Sequence, residues 1–198
     1  MNLSERKKAL RQRVLADRDA MTPVERADAS KVLTGLLTAN ERYRQAGSVL
    51  AYWGFGSELD THAFLKAALT NGKMLALPRI DKASNSLQLY RVKDLDADLE
   101  AGPWGIREPK KEPARLVTLD KIEFVLVPGV AFDAACNRMG YGKAYYDRLF
   151  ADCKGRLPFR SAAAFDCQIV DAVPVSPSDV PIDAVFAPKR VFTRARSS

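Results

Sequence analysis

Short apolar runs alternate along this chain with longer segments whose apolar positions recur every three or four residues. SVLAYWGF (48–55) and MLALPRI (74–80) are continuous enough to predict strands. SLQLYRV (86–92) alternates apolar with polar and predicts a strand with one wet face. FVLVPGVAF (124–132) is apolar on both faces of the pleat, the pattern of a central parallel strand. RSAAAFD (160–166) and DAVFAP (183–188) are further strand candidates. Between them lie helical patterns. One begins near Ser4 and places Ala9, Leu10, Val14 and Leu15 on one face. A second starts at TPVE (22–25), where Thr22 caps, Pro23 suits the first turn and Glu25 completes a capping box, and it runs to about Thr38. A third is capped by Asp60 or Thr61 and stops at Asn71–Gly72. AYYDRLFADC, after the most apolar strand, is the last, and AGPWGIREP (101–109) reads as loop.

This alternation predicts a single three-layer α/β/α domain with a mostly parallel sheet over residues 1–190. Ligands in such sheets sit beyond the carboxyl ends of the strands. Residues 191–198 are expected to form a disordered basic tail. The net charge of +7 points to anionic partners, whether nucleotides, polycarboxylates, nucleic acid or a membrane surface, or else to no more than a basic surface. No aromatic-interleaved basic stripe supports nucleic acid. Cys136, Cys153 and Cys167 are odd in number and lack metal-ligand spacing, so they read as reduced thiols. With no apolar leader or membrane-length run, the expectation is a cytoplasmic protein without a membrane partner; the sequence leaves the oligomeric state open, with a monomer favoured.

The chemistry gathers in NRMGYGKAYYD (137–147), which follows the central strand. It is neither a Walker A loop nor a dinucleotide fingerprint, since Ala144 follows Gly142–Lys143 and position 145 is Tyr. It does hold the parts of a phosphate cradle. Gly140 and Gly142 let backbone N–H groups converge on an anion, and Arg138 and Lys143 supply charge. A helix starting near Ala144 turns its positive end there, and Asp147 is a hard ligand for Mg²⁺. Tyr141, Tyr145 and Tyr146 offer flat faces. The competing account is a tight strand-to-helix turn with the tyrosines at the core edge and Asp147 paired to Arg148 or Lys143. The single histidine, His62, sits at a helix start and excludes a histidine metal cluster. No G-x-S-x-G elbow accompanies it for a hydrolytic triad.

LVPGVAFDAACNRMGYGKAYYDRLF (126–150) resembles the signature of the 5-formyltetrahydrofolate cyclo-ligase family, approximately PGxAFD followed by NRLGxGxGYYD. KKALR (7–11), YWGFGSELDT (52–61), GKMLALPRI (72–80), WGIREP (104–109) and SDVPIDAVF (178–186) resemble further blocks in the same order. Ala144 and Cys136 stand where the pattern commonly has glycine, and Ser178 where His or Asn often precedes the aspartate.

The resemblance implies an ATP-dependent ligase that turns 5-formyltetrahydrofolate into 5,10-methenyltetrahydrofolate, with ADP and phosphate as the other products. ATP would be the co-substrate and Mg²⁺ the cofactor. Lys7 and Arg11 would hold nucleotide phosphates, together with a loop of Arg138, Met139, Gly140, Tyr141, Gly142, Lys143, Ala144, Tyr145 and Tyr146. Arg138 and Lys143 are the candidate catalytic cations, and Asp147 and Asp179 the metal ligands. Glu58 would hydrogen-bond the pterin, Trp53 would pack against it, and Tyr141 and Tyr145 would touch folate. Asp133 is expected to brace the loop rather than touch ligand. A regulatory nucleotide or folate binder with little turnover, and an RNA-associated basic protein, remain as alternatives.

Overall fold

The computed structural model describes residues 2–102 and 106–195. Among the described residues five α-helices form: α1 (Leu3–Asp19), α2 (Pro23–Ala39), α3 (Glu41–Gln45), α4 (His62–Thr70) and α5 (Tyr145–Ala151). An eight-stranded sheet runs in the order β12-β11-β10-β7-β1-β2-β3-β6. Its strands are β1 (Ser48–Leu50), β2 (Met74–Asp81), β3 (Ser86–Val92), β6 (Leu116–Val117), β7 (Phe124–Leu126), β10 (Phe159–Ala163), β11 (Ala184–Ala187) and β12 (Arg190–Thr193). The central strands β11, β10, β7, β1 and β2 pair in parallel, and β12, β3 and β6 add antiparallel edges. Two hairpins stand apart: β4 (Leu99–Ala101) with β5 (Arg107–Pro109), and β8 (Ala131–Phe132) with β9 (Arg138–Met139).

The sheet is buried on both faces because successive residues of its central strands alternate between two apolar clusters. Val49, Phe124, Leu126 and Phe186 meet Leu33 and Leu37 of α2, Tyr43 of α3 and Phe64 and Leu65 of α4. Leu50, Val125, Val127 and Val185 face the other way, toward Tyr146 and Phe150 of α5. The second helical layer is thin, with one short helix, and α1 lies outside both, packing Val14 on Val130, Ala131 and Met139.

Four expectations need correcting. The strand expected over 48–55 pairs only as Ser48–Leu50. Beyond it the chain folds over Gly54, where a Cβ would lie 2.1 Å from the Leu59 carbonyl oxygen. The strand expected over 124–132 ends at Leu126, because Pro128 has no N–H for the ladder, and 131–132 join the separate hairpin. The loop expected over 101–109 carries the ends of β4 and β5; Trp104 and Gly105 of its family block lie outside the described residues. The tail expected to be disordered from 191 contributes β12, and the Arg194 N–H donates to the Asp183 carbonyl at 2.9 Å; residues 196–198 lie outside the described residues.

Both early strand endings serve the site. Once β1 and β7 leave the sheet, their continuations, with Trp53 and Pro128, line a cavity of about 900 Å³ at the carboxyl ends of the parallel strands. Pro78 is tolerated within β2 for the same reason, since β1 pairs only with Met74–Ala76.

Candidate active site

Helix α1 forms one wall. Asn2 caps it in a full capping box with Glu5, so its first turn is fixed rather than frayed. Lys7 and Arg11, one turn apart, both line the cavity. Lys7 Nζ donates to Asp179 Oδ2, and Arg11 Nε donates to the Gly140 carbonyl at 3.1 Å. Asp179 also accepts from the Ser176 N–H at 2.6 Å. Burial alone would raise its carboxyl, but the Lys7 and Ser176 hydrogen bonds win and hold it below the ordinary range.

The glycine-rich loop forms the second wall. Gly142 takes φ +95°, a backbone conformation that L side chains rarely adopt, so glycine is needed there for the turn rather than for space, since a Cβ would meet Arg11 Nη2 only at an ordinary 3.4 Å. Ala144 takes φ +52° immediately before α5, without the freedom of glycine. Arg138 is buried. Its Nη2 donates to Asp147 Oδ2 at 2.9 Å and its Nη1 to the Pro128 carbonyl at 3.3 Å. Gly140 makes room for that guanidinium, for a Cβ there would come within 2.8 Å of Arg138 Nη1. Asp147 Oδ1 accepts from the Val180 N–H at 3.1 Å, tying α5 to the segment that carries Asp179. The partner of Asp147 is therefore Arg138, not Arg148 or Lys143; Arg148 donates instead to the Asn85 carbonyl at 2.8 Å. Lys143 and Tyr145 line the cavity, and Lys143 is exposed. Tyr146 is buried, which pushes its phenol well up and keeps it neutral.

The third wall is the turn after β1. Glu58 is 9% exposed, which raises its carboxyl above the ordinary value. Hydrogen bonds from the Tyr141 hydroxyl at 2.5 Å and the Phe55 N–H at 3.2 Å, and the charge of Arg18, oppose that rise. Trp53 is half-buried between His62, with ring centres 5.4 Å apart, and the Arg107 guanidinium, 5.4 Å from its ring centre. Phe55 packs on Tyr141 at 6.3 Å.

All the residues expected at the site from sequence line this one cavity. Sequence reasoning missed Phe55, Arg107 and Ser176 in its lining and Arg18 behind it. The packing of the His62 ring against Trp53 had no signal in spacing. Arg18 is the fullest miss: a buried arginine has no periodic signature, whereas its polar partners 39 and 123 residues away are visible only in the fold. Asp133 does what was expected of it. Its carboxylate accepts from the Ala135, Asn137 and Val173 N–H groups and from Asn137 Nδ2 at 2.9–3.0 Å, and it lines no part of the cavity.

A cationic helix, a glycine-rich loop flanked by the carboxylates of Asp147 and Asp179, and an aromatic wall with a buried carboxylate thus converge on one cavity. The family model for 5-formyltetrahydrofolate cyclo-ligases matches residues 3–188. The chain belongs to the 5-formyltetrahydrofolate cyclo-ligase family. Among relatives, the mouse 5-formyltetrahydrofolate cyclo-ligase is 27% identical over 94% of this chain and 95% of its own length. That of Mycolicibacterium smegmatis is 30% identical over 96% of this chain and 97% of its own. The solved 5,10-methenyltetrahydrofolate synthetase of Aquifex aeolicus superposes with a TM-score of 0.83 at 31% identity, covering 97% of this chain and 95% of that one. The Mycoplasma pneumoniae synthetase shares the fold, with a TM-score of 0.71 at 19% identity over 90% of this chain and 96% of that one.

Proposed function

We propose that this chain converts 5-formyltetrahydrofolate and ATP into 5,10-methenyltetrahydrofolate, ADP and phosphate. The observation that carries the reading is the convergence of a cationic, glycine-rich wall and an aromatic wall on one cavity in a chain of this family. Lys7, Arg11 and Lys143 neutralise the nucleotide phosphates, and the loop from Arg138 to Tyr146 wraps them. Glu58 accepts hydrogen bonds from the donor edge of the pterin, and Trp53 with Tyr141 and Tyr145 encloses its rings. The terminal phosphoryl group passes to the formyl oxygen, breaking the bond to ADP and leaving an iminium phosphate. N10 then attacks the formyl carbon, the C–O bond breaks, and phosphate departs as the N10 proton is lost. Such transfer needs positioning and charge neutralisation more than a covalent nucleophile.

Asp147 and Asp179 fit a magnesium ion held alongside phosphates. Both are oxygen donors on the cavity wall, and among the described residues no three or more His, Cys, Asp or Glu converge into a cage built by protein alone. When bound, the ion would neutralise charge on the transferring phosphoryl group. Arg138 serves this site by fixing Asp147 through its Nη2.

The test mixes protein, Mg-ATP and 5-formyltetrahydrofolate and follows the near-ultraviolet absorbance of the methenyl bridge, with ADP release in parallel. The expected result is an absorbance rise that needs both substrates and falls at least about 100-fold in Asp147→Asn, a variant that keeps the shape of the side chain. Tight binding of both substrates with no absorbance change would overturn the enzyme reading in favour of a regulatory binder.

A further inference from the structure

Arg18 is a buried cation to which the proposed reaction gives no role. It sits in the last turn of α1 and is 4% exposed. Its Nε donates to Ser57 Oγ at 3.0 Å and its Nη2 to the Tyr141 hydroxyl oxygen at 3.0 Å. Because the guanidinium can only donate, that oxygen must accept, and the tyrosine's own hydrogen is left for Glu58 Oε1 at 2.5 Å. Ser57, next to Glu58, passes its hydrogen in turn to Asp19. Arg18 therefore sets the direction of both hydrogen bonds that run from it through Tyr141 to Glu58, while the Ser57 branch ends on Asp19. The same helix grips the neighbouring loop residue through Arg11 and the Gly140 carbonyl, so α1 holds the loop on the nucleotide side with one arginine and on the folate side with another.

We propose, resting on the folate reading above, that Arg18 is a positioning residue: acting through Tyr141, it fixes Glu58 and the adjoining loop, and so sets the hold on the folate head rather than on ATP. The groups around Glu58 are Arg18 from α1, Asp19 beyond Ser57, Tyr141 from the loop, Tyr52 from the end of β1 and Tyr146 from α5. Arg18 is the cation among them. Its loss leaves the Glu58 carboxylate easier to protonate, so the acid limb of kcat/KM for folate moves to higher pH.

The experiment is a double-mutant cycle of Arg18→Met and Tyr141→Phe in the methenyl assay. Arg18→Met should raise KM for 5-formyltetrahydrofolate about tenfold, change KM for Mg-ATP less than about twofold, and shift the acid limb upward. In KM for 5-formyltetrahydrofolate the double variant should resemble Tyr141→Phe alone, and Arg18→Lys, which keeps the charge, should restore the wild-type acid limb. Effects that multiply independently, or equal increases in both KM values, would overturn the proposal. If Arg18→Met fails to fold, Arg18→Lys enters the cycle in its place, judged by the same non-additivity in KM. If the wild-type protein forms no methenyl product, the ligase reading fails separately, and the cycle is read on 5-formyltetrahydrofolate binding by calorimetry. There, additive losses overturn the role of Arg18, and no binding by the wild type removes it altogether.

Discussion

Ala144 holds φ at +52° at the junction of the glycine-rich loop and α5. An L-residue in that region costs roughly 1–2 kcal/mol, while a glycine gives back about 0.5–1 kcal/mol of that through unfolded-state entropy. Ala144→Gly should therefore stabilise the fold by about 0.5 kcal/mol, read as a higher urea midpoint with an unchanged slope. Cys136 shares the strain at φ +61°, and burial pushes its thiol up to about 11, so it should resist alkylation in the native protein at neutral pH. Glu58 gives the residue-scale pH dependence. Its folded carboxyl is raised above the ordinary 4.5 chiefly by burial, so between those two values the folded state binds more protons than the unfolded. The contribution of Glu58 to stability thus falls as pH rises through that window and is lowest above it. Glu58→Gln should abolish this part of the slope in denaturation curves measured from pH 4 to 8, while weakening folate binding about tenfold or more.

At the scale of elements, the hairpin of β8 and β9 aims the loop, and one carboxylate holds it. Asp133→Ala would strip acceptors from three backbone N–H groups and from Asn137 Nδ2. The expected loss is about 3 kcal/mol of stability, with a fall in kcat even where the variant remains folded by circular dichroism. Much at this scale was legible. The capping box of Thr22 and Glu25 starts α2 where it was expected, and β2 and β3 match their apolar runs within a residue. What failed to show were the places where an apolar run serves the cavity instead of the sheet. YWGF and VPGVAF are as apolar as strand because they line or support a buried site, so hydrophobicity cannot mark where the ladder stops. Helix α1 failed in the opposite sense: Val14 is buried as predicted but Ala9 is exposed, because the helix packs partly on a polar site and its buried face includes Arg18. β12 escaped because its residues alternate beside a basic, mostly exposed edge whose only signal is pairing with β11.

Across the whole molecule, the cavity draws its walls from residues 7–11, 53–58, 138–147 and 176–179, which the sheet brings together from both ends of the chain. Ligand binding therefore joins α1 to the segment before β11 through Lys7 and Asp179, and should act on global stability rather than on one loop. A ligand at 100 times its Kd adds about 2.7 kcal/mol, which for a chain of this size corresponds to roughly 5–11 °C in Tm. On the proposed reading, in which Asp147 and Asp179 would hold magnesium, a non-hydrolysable Mg-ATP analogue should give a shift of that order, and leaving out magnesium should remove most of it. The net charge of +7 allows a competing explanation, diffuse attraction of any polyanion to a basic surface. Salt separates the two. Binding by many exposed phosphate contacts loses several orders of magnitude in affinity between about 50 and 200 mM salt, whereas a walled site with a few phosphate contacts and a ring pocket loses far less. A shift from the Mg-ATP analogue that stays within about 2 °C across that range, while one from a short RNA disappears, is the expected outcome of differential scanning fluorimetry. The reverse pattern would move the charge of the protein from its cavity to its surface, and the function with it.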